Sequence, residues 1–325
     1  MRIHPSKLAT IILLVMATLL IGPTMTHPAW GQTKPQKKDD SKEKPPEPID
    51  KIFDTADGVR LHATFYPGME EKDSVPVILV HDLKESRKGF HDLALYLQAR
   101  GCAVLVPDLR GHGESIRAEG VRNAINPDRM NSRQFQAIIG PQGDMEACKK
   151  FLMQKNNKGE LNIEKLCVVG AGMGSIVATN WAVLDWSWPP LATGKQGQDV
   201  KALVLISPVW SSRGLYLKPS TMSPAFRSVF STMILVGEQD KKSCKCANSL
   251  AKIIERFNTN AKAEDPKQKT FFNLKLDTSL KGMKMLDEKS LKVPERIAHF
   301  IKLRLIDQDI LWKERKKPFD MKPEK

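Results

Sequence analysis

The chain has 325 residues, of which 41% are hydrophobic, and its formal net charge is +14. This length and hydrophobic content suit one large core and do not favour two separate ones. The basic residues are scattered and are not interleaved with aromatic side chains, so no nucleic-acid partner is expected.

The first 31 residues have the pattern of an export signal. Arg2 and Lys7 precede an uncharged apolar run from Leu8 to Ile21, and small or helix-breaking residues follow. This run is shorter than the about 20 residues that a helix needs to cross a bilayer, so a cleaved signal is favoured over a retained anchor. We expect an exported protein, periplasmic or secreted, which stays anchored only if the signal is uncleaved.

Composition divides the rest of the chain. Residues 32–48 are rich in Lys, Pro and acidic side chains and nearly free of apolar ones, which predicts a disordered tether. The folded domain is predicted for residues 49–306. Residues 307–325 form a basic tail that is expected to be solvated, with weak contact to anionic surfaces as the alternative. The sequence does not predict the oligomeric state.

Five cysteines leave at least one unpaired in a monomer. Cys102 and Cys167 lie in apolar strand-like runs, as small buried thiols do. The Cys244-Lys245-Cys246 spacing does not match a metal knuckle, so no metal is predicted. A disulfide that involves Cys148, Cys244 or Cys246 is left open.

The elements predicted in chain order alternate between strands and helices. Residues 49–66 predict two strands joined by an Asp57-Gly58 turn. Short, continuously apolar runs then recur, as in strands that are buried on both faces: 75–82, 102–108, 165–170, 200–207, 231–237 and 270–276. Helical patterns separate them: 90–100, 143–154, 175–186, 247–257 and 293–306. This order predicts a mainly parallel sheet of about eight strands with helices on both faces and no large cap domain.

Two long irregular segments, 115–142 and 187–199, are predicted to overhang a ligand site as lids.

The segment CVVGAGMGSIVA, residues 167–178, fits two different glycine motifs. As a dinucleotide-binding loop it would align Gly170, Gly172 and Ser175, but the third glycine and the later acidic residue that should bind a ribose are missing. No cofactor is therefore predicted. As a nucleophile elbow, G-x-S-x-G, it places Gly172 between Gly170 and Gly174, at the position of the nucleophile.

Other segments resemble the α/β-hydrolase family, nearest its serine aminopeptidase and lipase-like branch. VILVHD is similar to the family's third strand and its His-Gly ending, with Asp82 in place of the glycine. VLVPDLRGHGES resembles the segment after the fourth strand, and GDMEACKKFL resembles the helix that leads into the elbow. ILVGEQD places Asp240 at the position of the family's acid. The resemblance covers roughly residues 50–305 and implies an α/β-hydrolase fold.

The resemblance also implies positions for a catalytic triad. Gly172 takes the place of the nucleophile, Asp240 that of the acid and Lys281 that of the base. His299, which alone among the histidines follows Asp240, lies in a helical pattern. Because glycine has no attacking atom, we expect a pseudo-hydrolase with a binding or scaffolding role. We also hypothesise an ion pair between Lys281 and Asp240.

The elbow could still bind a ligand. The resemblance implies that the N–H groups of Met173 and Leu83 are oxyanion donors, and with Lys281 they could hold a small carboxylate or carbonyl ligand. The alternative function is an active esterase or peptidase with a displaced nucleophile, for which Ser175 is the candidate. Ser175 is otherwise expected to cap the following helix. A nucleotide-dependent enzyme is a third hypothesis.

Overall fold

A computed structural model describes residues 44–120, 122–191 and 194–315. The predicted signal segment 1–31, tether residues 32–43 and tail residues 316–325 lie outside the described residues. The strands are β1 (Ile49–Asp54), β2 (Val59–Tyr66), β3 (Val75–Val80), β4 (Cys102–Pro107), β5 (Arg117–Ala118), β6 (Leu166–Ala171), β7 (Val200–Ile206), β8 (Ser211–Ser212), β9 (Leu215–Tyr216), β10 (Ser231–Gly237) and β11 (Phe271–Leu276). The α-helices are α1 (His91–Gln98), α2 (Ser132–Ala137), α3 (Asp144–Asn157), α4 (Met173–Ser187), α5 (Lys241–Phe257), α6 (Lys284–Asp287) and α7 (Val293–Ile301).

One sheet organises the domain. Its strand order is β1-β2-β4-β3-β6-β7-β10-β11, with the short β5 beside β2. The strands from β4 to β11 along this order are parallel to each other, whereas β2 is antiparallel to β1, β4 and β5. Strands β8 and β9 form a separate small hairpin. The predicted mainly parallel sheet of about eight strands is confirmed.

The core has two layers, one on each face of this sheet. Successive residues of β6 point to opposite layers: Val168 belongs to the layer that contains α3, α4 and α5, and Val169 to the layer that contains α1 and α7. Trp181 of α4 and Phe300 of α7 are fully buried, one in each layer. Because both faces are covered, the central strands need apolar side chains at every position, which explains their continuously apolar sequences.

The segment 187–199 was predicted to be a lid, and this prediction is wrong. It joins the carboxyl end of α4 to the start of β7, so it lies at the amino ends of the parallel strands, away from the edge where α4 begins. A buried ion pair holds the end of this segment. Asp199 is fully buried, and one of its carboxylate oxygens lies 3.0 Å from Nζ of the buried Lys149. Lys149 also pairs with the buried Asp185.

Residues 307–315, predicted to be part of a solvated tail, instead pack on the domain. The indole N–H of Trp312 donates to the carbonyl oxygen of Asn156 at 3.2 Å, and Lys72 Nζ lies 4.1 Å from the centroid of the Trp312 ring. Arg315 is buried and pairs with Glu164 at 2.9 Å. The basic composition alone did not reveal these contacts, because their partners lie far away in the sequence.

In the part of the chain that the structure describes, no helix combines the length and the hydrophobicity that crossing a bilayer would require.

Candidate functional site

The turn from β6 into α4 lies at the carboxyl end of the sheet. β6 ends at Ala171 and α4 begins at Met173, so Gly172 alone makes the turn, with φ 52° and ψ −114°. Glycine adopts a positive φ readily, whereas other residues are strained there. The turn has the sharp strand-to-helix geometry of a nucleophile elbow, and its central residue has no side chain.

A close approach between α4 and β3 explains the glycine that follows in the motif. A Cβ atom on Gly174 would lie closer than 3.0 Å to the carbonyl oxygens of Val80 and His81. Only hydrogen fits between this helix turn and the end of β3. The first turn of α4 is therefore pressed against the residues that follow β3, which brings Asp82 to the elbow.

The carboxylate of Asp82 occupies the centre of the elbow. Its Oδ1 accepts hydrogen bonds from the N–H groups of Leu83 and Met173, each at 2.7 Å. A Cβ atom on Gly172 would overlap this carboxylate, at less than 3.0 Å. The two N–H groups that the hydrolase resemblance implies as oxyanion donors thus converge on one oxygen atom, and that oxygen belongs to the protein.

The first turn of α4 favours a negative charge at this position. The helix has 15 residues, and the Met173 N–H is one of the amino-terminal donors that have no partner within the helix. Such donors and the helix dipole stabilise a nearby anion. The Asp82 carboxylate takes the place that a ligand carboxylate was predicted to take.

His81 fixes the backbone beside this carboxylate. The N–H of Leu109 donates to His81 Nε2 at 3.0 Å, so Nδ1 carries the proton and donates to the carbonyl oxygen of Asp82 at 2.7 Å. Burial lowers the pKa of His81 to about 4, and the neighbouring His112 adds to this effect. His81 is therefore neutral near pH 7 and acts as a structural link between two loops.

The loop after β11, where the family's base lies, approaches the same carboxylate through Gly282. The N–H of Gly282 donates to Ser207 Oγ at 2.8 Å, and a Cβ atom on Gly282 would lie 3.1 Å from Asp82 Oδ2. Lys281, the residue that was predicted to take the place of the base, is exposed. Position 282 of this loop therefore approaches the carboxylate at the elbow.

Asp240 lies at the carboxyl end of β10 but does not meet Lys281. It is the N-cap residue of α5, and its side chain accepts from the N–H of Ser243 at 3.3 Å. No ion pair within 4.0 Å joins it to Lys281, so the hypothesised pair is absent. The acid loop and the base loop are nevertheless adjacent, because the Gln239 N–H donates to the carbonyl oxygen of Thr278 at 3.2 Å.

Ser175, the candidate for a displaced nucleophile, is fully buried inside the first turn of α4. Its hydroxyl donates to the carbonyl oxygen of Gly172 at 2.6 Å. The expected capping role also differs in detail, because the hydroxyl bonds a carbonyl group rather than a free N–H. In this position the Ser175 oxygen has no access to a substrate.

His299 and the buried cysteines supply no substitute for the missing nucleophile and base. His299 lies on α7, in the layer opposite to α4, beside Tyr96 and Glu295. All five cysteines are free, and burial raises the pKa of Cys102 and Cys246 to about 12, so these thiols stay protonated. Within the described ranges, no group of three or more His, Cys, Asp or Glu side chains could hold a metal ion.

Comparisons with known proteins agree with this fold. A family model described as serine aminopeptidase, S33, matches residues 72–268. No curated protein matches the chain. An esterase of Pyrococcus furiosus has a TM-score of 0.55 at 16% identity, over 80% of this chain and 92% of the esterase.

An esterase of Pyrobaculum calidifontis also has a TM-score of 0.55, at 14% identity, over 79% of this chain and 86% of the esterase. At these identities the two esterases establish the common fold alone. The family match covers more than half of the chain, from the segment before β3 to the segment before β11. The chain therefore belongs to the serine aminopeptidase (S33) family of α/β-hydrolases.

Proposed function

We propose that this protein is a hydrolase-fold protein that binds or scaffolds and does not hydrolyse esters or peptides. One observation carries the proposal: Asp82 Oδ1 accepts both N–H groups that would stabilise an oxyanion. Acyl transfer by this fold also needs an attacking atom at the elbow and a base beside it. Positions 172 and 282 both carry glycine.

Electrostatics strengthens the argument. A tetrahedral intermediate places a negative oxygen against the oxyanion donors, and removing one such donor slows an enzyme by about 100- to 1000-fold. At this elbow a substrate oxygen would have to displace a carboxylate that is already bonded to both donors. The developing oxyanion would also lie next to that displaced negative charge. The arrangement therefore opposes the transition state of hydrolysis at two points.

The proposed location is outside the cytoplasm, on the strength of the apolar run from Leu8 to Ile21 and the basic residues before it. The segment that follows would serve as a tether between the exported domain and the amino terminus. Purification of the chain from its natural host and sequencing of its amino terminus tests this proposal. A mature chain that begins near residue 32 supports it, and a cytoplasmic chain that begins at Met1 contradicts it.

The test of function uses activated esters and a fluorophosphonate probe, which labels reactive serines. We expect no labelling of the wild-type chain and no turnover of p-nitrophenyl acetate above buffer. The alternative function, an active hydrolase with Ser175 as nucleophile, predicts labelling that Ser175→Ala abolishes. That result would overturn the proposal.

Two rebuilt variants test the reason for the inactivity. The first combines Gly172→Ser with Gly282→His, and the second adds Asp82→Gly, which restores the family's His-Gly sequence after β3. Histidine is one of the residues that tolerate a positive φ, which Gly282 has at 58°. If both variants unfold cooperatively, we expect labelling of the second only. Equal labelling of both would show that Asp82 does not block the donors.

A further inference from the structure

A groove of about 730 Å³ lies between residues 210–227 and the carboxyl-terminal half of α5. One wall of the groove is formed by β9 of the small hairpin and by the turns that follow β9. None of its lining residues belongs to the elbow, to the loop after β3 or to the loop after β11. Its volume falls within the range of about 300–1,000 Å³ that is typical of small-molecule sites.

Large apolar side chains form the groove and are unusually open to solvent. Tyr216 is 59% exposed, Met222 is 65% exposed and Phe257 is 44% exposed, and Trp210 and Ile253 line the groove beside them. A single exposed apolar residue is ordinary, but several in one groove mark a binding surface.

Four cations border the same groove: Lys218, Arg227, Lys252 and Arg256. The lining residues include no carboxylate, and no ion pair among the described residues engages any of these four side chains. The acid that neighbours Arg256 in the sequence, Glu255, pairs with Lys262 at 2.9 Å instead. The groove therefore has an apolar interior and an uncompensated positive rim.

The arginines are held over the apolar surface rather than extended into solvent. Arg227 Nε donates to the carbonyl oxygen of Thr221 at 2.8 Å, and its guanidinium lies 4.4 Å from the ring centroid of Phe257. The Arg256 guanidinium lies 5.4 Å from the same ring. Cations that an aromatic ring and a backbone oxygen position in advance lose little freedom when an anion binds.

We propose that this groove binds one acyl chain that carries an anionic head group. The apolar side chains would cover the hydrocarbon, and the four cations would bind the head, which gives both parts of such a ligand a matching surface. A neutral hydrocarbon would leave the cations unpaired, and a small anion would leave the apolar interior uncovered. The proposal gives the binding role a ligand class, yet it shares no residue with the elbow, so either proposal can fail alone.

Titration calorimetry of the full-length chain with dodecanoate, below its micelle concentration, tests the proposal. We expect saturable binding of one dodecanoate per chain. Octanoate should bind more weakly, by about two- to fourfold for each CH₂ group removed. Acetate and dodecyltrimethylammonium, which lack the chain and the negative charge respectively, should bind far more weakly.

Matched variants on α5 identify the site. Lys252→Gln with Arg256→Gln removes two charges from the rim and should weaken dodecanoate binding by about tenfold. Lys241→Gln with Lys245→Gln removes two charges from the same helix outside the groove and should change the affinity less than twofold. Met222→Ser, at an exposed position, should also weaken binding. The proposal is overturned if dodecanoate does not bind, if the cationic amphiphile binds as tightly, or if both charge variants have the same effect.

Discussion

Replacement of Asp82 by alanine is the most informative perturbation of the elbow. It removes the acceptor of two N–H groups, and one of them belongs to Met173, whose side chain is only 1% exposed. Hydrogen bonds to a charged group contribute about 1.5–3 kcal/mol each, and a carboxylate at a helix amino terminus adds about 0.3–1 kcal/mol. Water can enter the half-open space and recover part of this energy. We expect a loss of about 2–4 kcal/mol in the free energy of unfolding.

Urea unfolding at pH 7 measures this loss, and a small carboxylate should reverse part of it in the Asp82→Ala variant. If acetate binds the vacated donors with a Kd of about 10 mM, about 100 mM acetate restores about 1.4 kcal/mol. Sodium chloride at the same ionic strength should restore less, and the wild-type chain should not respond to acetate. Asp309→Ala, at an exposed position, is the control for loss of one negative charge.

The reasoning fails on either of two results. A loss below about 0.5 kcal/mol would mean that the two hydrogen bonds contribute no more than an exposed contact does. An equal response of the wild type and the variant to acetate would mean that acetate acts elsewhere on the molecule.

Three further predictions concern the framework of the site. Gly174→Ala should destabilise the protein by about 3 kcal/mol or more, or prevent folding, because the added methyl group would overlap two carbonyl oxygens. The control is Gly140→Ala, whose added methyl group would lie no closer than 3.6 Å to another atom and should change the melting temperature little. The pKa of His81 is lowered to about 4, so its contribution to stability is complete above pH 6.5 and is lost as the pH falls towards 4. In urea unfolding, His81→Gln should reduce the change in the free energy of unfolding between pH 4 and pH 7 by up to about 3 kcal/mol. A pH dependence of this free energy that is the same in the variant and the wild type would contradict the prediction. Lys149→Met removes the cationic partner of the buried Asp185, whereas Asp199 keeps Lys195 and Arg315, and the variant should cost about 3–5 kcal/mol. The exposed Lys150→Met should have little effect, and equal melting temperatures of these two variants would contradict this prediction.

The sheet could be predicted from the sequence because strands that are buried on both faces consist almost entirely of apolar residues. The run STMILVG, residues 231–237, coincides with β10, and the run 75–82 differs from β3 only at its end. Parallel strands that are covered on both faces cannot alternate polar and apolar residues, so their positions are visible without a structure. The elbow was visible for a related reason, since its spaced glycines mark close backbone approach.

The occupant of the elbow was harder to predict. The sequence showed Asp82 in place of a glycine, but not that its side chain would turn back onto Gly172. That orientation depends on contacts across the fold: His81 binds Leu109, and the first turn of α4 supplies a donor from 91 positions away. The sequence also did not indicate that Gly282 approaches Asp82, because a loop has no periodicity from which the direction of a side chain can be read.

The central claim is that one carboxylate oxygen is bonded to the N–H groups of both Leu83 and Met173. Amide hydrogen exchange of the wild-type chain and of Asp82→Ala, followed by backbone NMR at pH 7, tests it most directly. A carboxylate that accepts both bonds predicts that the amides of Leu83 and Met173 are protected in the wild-type chain and lose protection together in Asp82→Ala, while the Leu109 amide, which donates to His81, stays protected. An unchanged exchange rate of the Leu83 or the Met173 amide in the variant would contradict the account.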